Sequence, residues 1–337
     1  MDTQLLEKTA RELVAAGKGI LAADESNGTM SNRLEAVGVS ASPETRNAYR
    51  ANLFSTIGYE KYISGVILFD ETIRQKMPDG RKIPDVLASV GVHPGIKVDT
   101  GAKDLANHDG EKITEGLDGL RDRCKEYFSM GARFAKWRAV IEIGSKKPSD
   151  ACVSANAHAL ARYASICQEQ GLVPIIEPEV IMAGNHDAQS CYEVTSLILS
   201  ATFEQCLIQG VHLPGALLKP NMIIAGTSCS KQITREEVAL MTVDCLTNNV
   251  PHNLAGIVFL SGGQTDEDAT AHLNLMNSMD NVHPWELSYS FGRALLANAL
   301  KTWAKGDEKG SQSVFLHRSK MNSLARTGDW DSELENN

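Results

Sequence analysis

Apolar residues in this chain fall into short blocks, and most of the blocks end on a charged residue or a glycine-rich turn. The run 19–23 leads into Asp24-Glu25-Ser26, the run 65–69 into Asp70-Glu71, 94–96 into Lys97-Val98-Asp99, and 132–135 into Lys136-Trp137-Arg138. Further along, 172–176 leads into Glu177-Pro178-Glu179, 216–218 into Lys219-Pro220-Asn221, 256–260 into Ser261-Gly262-Gly263, and 285–291 into Gly292-Arg293. Blocks this short, bounded by Gly, Pro and charges, read as buried strands. Between them the period changes to that of a helix, over 117–130, 150–170 and 192–208. Helix-start signals stand in the same gaps: Ser42 before Pro43, Thr234 three residues ahead of Glu237, and Thr265 ahead of Asp266-Glu267. Leu5, Ala10, Leu13, Val14 and Ala15 predict an N-terminal helix closed by Gly17.

About eight strands alternating with helices predict an α/β fold, a TIM (β/α)8 barrel. No linker-like stretch or change of composition precedes residue 304, so 1–303 is expected to be one catalytic barrel domain. Beyond Trp303 the chain turns polar and loses its period, and 304–337 is expected to be a partly mobile C-terminal tail.

Charge narrows the partners. A net charge of -9 speaks against a nucleic-acid or anionic membrane surface, so an anionic ligand must be held by local cations. No apolar run approaches the roughly 20 residues of a membrane span. The N-terminus has no basic-then-apolar leader, and the seven cysteines form no CxxC pair, which predicts a cytoplasmic protein in a reducing compartment. Gly17-Lys18-Gly19 lacks P-loop spacing, Asn27-Gly28 reads as a turn, and His186 in Gly184-Asn185-His186-Asp187 has no partner histidine at helical spacing. No metal and no cofactor are expected.

In a barrel the C-terminal ends of the strands converge on one face. That face should gather Asp24, Lys97, Lys136, Arg138, Glu177, Glu179, Lys219, the Ser261-Gly262-Gly263 turn and Arg293. Strand alternation puts Lys136 and Arg138 on one side, and Glu177 with Glu179 likewise. Lys219 has two readings. A strand-end lysine can snorkel to solvent, or, among cations that lower its pKa, it can act as a neutral amine that attacks a carbonyl. Asp24 is either a turn former or a mouth carboxylate, and the two glutamates are either reactive groups or partners of Lys136 and Arg138 in a buried network. The glycine turn could offer backbone N–H groups to phosphate, with Arg293 as a clamp near the start of the last helix.

These stretches, with 18–26, 95–99, 134–138, 161–167, 176–179, 217–222, 259–264 and 292–294, closely resemble class I fructose-1,6-bisphosphate aldolase over nearly the whole chain to about Trp303. The resemblance implies a metal-independent aldolase of glycolysis and gluconeogenesis. It would cleave fructose 1,6-bisphosphate reversibly to dihydroxyacetone phosphate and glyceraldehyde 3-phosphate through a Schiff base on Lys219. It implies Glu177 as acid/base with Glu179 beside it, Asp24 at the C4 hydroxyl, and Lys136 assisting carbinolamine turnover. Ser261, Gly262, Gly263, Ser290, Gly292 and Arg293 match the phosphate site of the dihydroxyacetone half. Ser26, Thr29, Arg33, Lys97 and Arg138 fall where the family handles the other phosphate and the sugar hydroxyls. Phosphorylated ketose and triose phosphates are the implied partners, and a homotetramer the implied assembly. Two departures stand out: Thr29 and Asn32-Arg33 replace the family's usual serine and Lys-Arg pair, and the last tyrosine is Tyr289, with none at the C-terminus.

Overall fold

The computed structural model describes residues 1–279 and 283–336. Helix α1 (Thr3–Leu13) precedes β1 (Gly19–Ala23), and α2 (Asn27–Ala36) with α3 (Pro43–Phe54) leads to β2 (Ile63–Leu68). Short helices α4 (Asp70–Arg74) and α5 (Ile83–Ser89) lead to β3 (His93–Lys97), and a hairpin of β4 (Gly101–Asp104) and β5 (Lys112–Glu115) follows. Then come α6 (Leu120–Ser129), β6 (Phe134–Ile141), α7 (Asp150–Glu169), β7 (Val173–Val180), α8 (Ala188–Ile208) and β8 (Leu217–Leu218). The chain continues through α9 (Arg235–Asn249), β9 (Gly256–Phe259), α10 (Asp266–Asn277), β10 (Glu286–Phe291), α11 (Arg293–Trp303) and α12 (Glu308–Thr327).

Eight of the strands close into a parallel barrel in the order β1-β10-β9-β8-β7-β6-β3-β2. β1, β2, β7 and β9 are buried at every residue, because helices cover the outside while side chains fill the inside. The interior holds Ile20, Ala22, Ile67, Phe134, Val173, Ile175, Leu217 and Val258, packed with Leu6, Ala10, Leu13 and Val14. Helix α1 therefore plugs the N-terminal end, and polar groups can gather only at the other. The Phe134 ring lies across two neighbouring strands, where a methyl on Gly95 would stand 2.3 Å from it.

Three features differ from the sequence reading. Asn27 and Gly28 open α2 and do not form a bare turn, because the Ser26 hydroxyl accepts from Thr29 N and caps the helix. The β4–β5 hairpin was not foreseen. Residues 308–327, read as aperiodic, form a helix packed on α10 and α11. Its buried face mixes Phe315, Met321 and Ala325 with Ser311, Arg318, Ser319, Asn322 and Arg326, so its period is hidden from hydropathy. Arg293 accordingly opens the penultimate α-helix. Among the described residues no helix is long and apolar enough to cross a membrane.

Candidate active site

The strand that leads to Lys219 is only two residues long, and the Pro-Asn pair after the lysine keeps the ladder from continuing. Lys219 N still donates to Ile176 O at 2.8 Å, but Pro220 has no N–H to continue the ladder. Asn221 then braces the exit: its Oδ1 accepts Val180 N at 3.0 Å and its Nδ2 donates to Thr195 Oγ1 at 3.1 Å. Lys219 is thereby held inside the barrel mouth at 4% exposure. It does not snorkel.

Its Nζ lies 3.2 Å from Glu177 Oε1, and the other oxygen of that carboxylate is 3.1 Å from Lys136 Nζ. Lys136 Nζ also lies 2.7 Å from Asp24 Oδ2. The four charges form a chain, Lys219–Glu177–Lys136–Asp24, with two of each sign; Lys136 and Glu177 lie within β6 and β7, which run on past the predicted blocks, and Asp24 and Lys219 directly follow β1 and β8. An unpaired buried charge would cost several kcal/mol, so each cation keeps a carboxylate. Burial pushes the Asp24 carboxyl up, but the ammonium groups of Lys136 and Lys219 outweigh it and hold it at about 2. At Glu177 burial is likewise overcome by Lys136, Lys219 and Arg138, and its pKa falls. Burial works against the Lys136 ammonium, yet Asp24, Glu177 and Asp99 raise its pKa overall. Glu177 Oε2 makes no hydrogen bond, its contact with Lys136 being Coulombic without hydrogen-bond alignment. Lys219 is therefore not ringed by bare cations, as the sequence suggested; Lys136 and Arg138 each carry their own carboxylate.

Around this centre lies a rim richer in guanidinium groups. Arg138 Nε donates to Glu179 Oε2, and Lys97 Nζ is 2.6 Å from Asp99 Oδ1. Arg33 pairs with Glu25, which the buried Arg50 also holds through its carbonyl at 2.9 Å. Ser26 and Thr29 share a hydrogen bond at 3.0 Å at the start of α2. Across the mouth, Arg293 begins α11 and donates to Gly262 O, while the buried Ser290 hydroxyl has no partner. Burial, then Arg33, lowers the Arg293 pKa; Glu179 opposes this and Arg138 adds to it. Three guanidinium groups converging this way favour a polyanion between them.

Apart from the buried Arg50, these groups border one cavity of about 820 Å³. Of the residues singled out from sequence, Asp24, Ser26, Thr29, Arg33, Lys97, Lys136, Arg138, Glu177, Glu179, Lys219, Ser261, Gly262, Ser290, Gly292 and Arg293 line it. Gly263 does not line it. The sequence reading missed Asp99, which lines the cavity and accepts from Arg138 N at 3.2 Å and Gly101 N at 3.1 Å. Its period-two relation to Lys97 was the available signal. Among the described residues no group of His, Cys, Asp and Glu is arranged to hold a metal ion.

Comparison with known proteins gives the same direction throughout. The family model "Fructose-bisphosphate aldolase class-I" matches residues 5–337. A probable fructose-bisphosphate aldolase class 1 of Xanthomonas axonopodis pv. citri is 54% identical over 333 residues, 98% of this chain and 99% of that one. The fructose-bisphosphate aldolase of Dictyostelium discoideum is 50% identical, covering 96% of this chain and 92% of its own. The aldolase of Plasmodium falciparum, solved in complex with TRAP and a small-molecule inhibitor, superposes with a TM-score of 0.96 at 46% identity, over 98% of this chain and 96% of that one. With the buried lysine–carboxylate chain at the mouth of the same barrel, these matches place the protein in the class-I fructose-bisphosphate aldolase family.

Proposed function

We propose that the protein cleaves fructose 1,6-bisphosphate reversibly to dihydroxyacetone phosphate and glyceraldehyde 3-phosphate, with Lys219 as the Schiff-base nucleophile. The observation that carries this reading is the sharing of the Glu177 carboxylate by Lys219 and Lys136 in a buried, charge-balanced site. Glu177 can take a proton from Lys219, freeing the amine to attack the ketone carbon. It then returns a proton to the carbinolamine hydroxyl, which leaves as water. Its Oε2, without a hydrogen bond, has the spare acceptor such a shuttle needs. Asp24, ionised through the neutral range, accepts the C4 hydroxyl proton as the C3–C4 bond breaks. The bonding electrons pass into the iminium and leave an enamine. Lys136, kept charged by its carboxylates, steadies the carbinolamine stage.

The phosphate of the dihydroxyacetone half is assigned to Ser261, Gly262, Gly263, Ser290, Gly292 and Arg293. The unpartnered Ser290 hydroxyl and the N-terminus of α11, which no side chain caps, support that end. Ser26, Thr29, Arg33, Lys97 and Arg138 take the other phosphate and the hydroxyls. Glu179 orients Arg138. A cytoplasmic location and a homotetramer belong to the same reading. Leu197, Leu207 and Ile208 on α8 and Leu240 on α9 are exposed apolar residues suited to self-association.

A coupled assay on purified protein tests the activity. Fructose 1,6-bisphosphate should be cleaved, Lys219→Met should abolish turnover, and a chelator should leave the wild-type rate unchanged. Turnover that survives Lys219→Met, or that a chelator stops, would overturn the reading.

A further inference from the structure

Polar groups at both glycines of the Ser261-Gly262-Gly263 turn are already engaged within the protein. The Arg293 guanidinium donates to Gly262 O, and Gly263 N donates to the thioether sulfur of Met182 at 2.9 Å. Met182 lies three residues beyond Glu179, past the end of β7. Its own carbonyl accepts Thr227 N at 2.9 Å, from the segment after β8. One residue thus joins the segments after β7, β8 and β9, the strands that lead to Glu177, Lys219 and the glycine turn.

The contact is close. A methyl at Gly262 would stand 2.3 Å from the Met182 sulfur, and Gly262 already has a φ of +57°, which favours glycine. One at Gly263 would stand 3.8 Å from Cε. Met182 itself is only partly buried, with an unbranched, flexible side chain that can move aside at low cost. Thioether sulfur is a weak acceptor, whereas a phosphate oxygen makes a charge-assisted bond about twice as strong as a neutral one.

We propose that Met182 is a phosphate gate: its sulfur occupies the Gly263 N–H in the free enzyme and is displaced when the phosphate of the dihydroxyacetone half arrives. This inference rests on the assignment of that phosphate to the glycine turn and Arg293. The phosphate takes over both the N–H and the guanidinium, and breaking the Met182–Gly263 bond is part of the cost of binding. Met182 touches no reacting atom, so it sets the affinity for the phosphorylated triose and leaves the chemical steps alone. It is a specificity-determining residue for the phosphate end, and neither the polar character nor the spacing of the sequence marks it.

The test compares the half-saturation of borohydride trapping by dihydroxyacetone phosphate and by unphosphorylated dihydroxyacetone. Met182→Leu keeps the volume and removes the acceptor, and should lower the half-saturation for dihydroxyacetone phosphate by roughly threefold, as expected for one hydrogen bond. Met182→Gln supplies a stronger acceptor and should raise it. Neither variant should shift the value for dihydroxyacetone, whereas a merely structural role would move both substrates together. Arg293→Ala separates the two readings. If it raises the dihydroxyacetone phosphate value while both Met182 variants match wild type, the gate is overturned and the phosphate assignment stands. If Arg293→Ala leaves that value unchanged, the phosphate assignment itself fails.

Discussion

At the scale of single residues, chemistry in this site depends on charges that are buried and shared. Glu177 is the link between the two lysines, and Glu177→Gln would remove the proposed proton shuttle while keeping its size. It should lower kcat by about 10²- to 10⁴-fold with a much smaller change in KM, in steady-state assays. Asp24 makes a second, pH-dependent prediction. Its folded pKa of about 2 lies below the ordinary 3.8, so its ion pairing stabilises the fold fully above pH 3.8 and is lost as pH falls towards 2. That contribution is about 2 kcal/mol. Urea titrations between pH 2 and 5 should show it as an acid-side slope that flattens in Asp24→Asn; an unchanged slope would mean that the pairing is not what holds the carboxyl down. The residue types themselves were legible from sequence, because each followed an apolar block. Their pairing was not: period-two alternation gives a side of the strand, but not which of Glu177 and Glu179 meets Lys136. Met182 was invisible for a simpler reason, since a methionine in a loop after a strand carries no polar signal.

At the scale of elements, short blocks and helix caps identified all eight barrel strands, because parallel strands covered on both faces are apolar almost throughout. The reading failed where tertiary packing overrides hydropathy. Helix α12 buries Arg318, whose guanidinium bonds Thr270 and Glu335, so positions that face the interior look polar in the sequence. Similarly, Asn27-Gly28 looks like a turn until the capping hydroxyl of Ser26 is counted. Because α12 is packed and not a loose tail, Phe315→Ala should cost about 3–5 kcal/mol in a denaturant titration. A loss near zero would mean that the helix contributes nothing to the barrel. Inside the barrel, Gly95→Ala drives a methyl into Phe134 and should destabilise by about 1–3 kcal/mol, a loss relieved by Phe134→Leu in the double variant.

Over the whole molecule, the arrangement of plug and mouth decides where chemistry can occur. With α1 filling one end, the strand ends at the other present a neutral buried quartet surrounded by arginines, which fits a substrate charged at both ends and uncharged where it reacts. The overall charge of -9 makes that local concentration of cations more telling, since the remaining surface does not attract anions. In the C-terminal segment Glu335 bonds Arg318 of α12 and accepts Trp330 Nε1 at 3.0 Å, and among the described residues none beyond Arg293 lines the cavity. Light scattering should report a particle about four times the 36.5 kDa of the chain, and a monomer would rule out the proposed self-association. The proposed activity as a whole rests on the covalent role of Lys219. Borohydride reduction in the presence of dihydroxyacetone phosphate, followed by peptide mass mapping, is its sharpest test: one adduct is expected, on Lys219, and an unmodified protein or an adduct on Lys136 in its place would contradict that role.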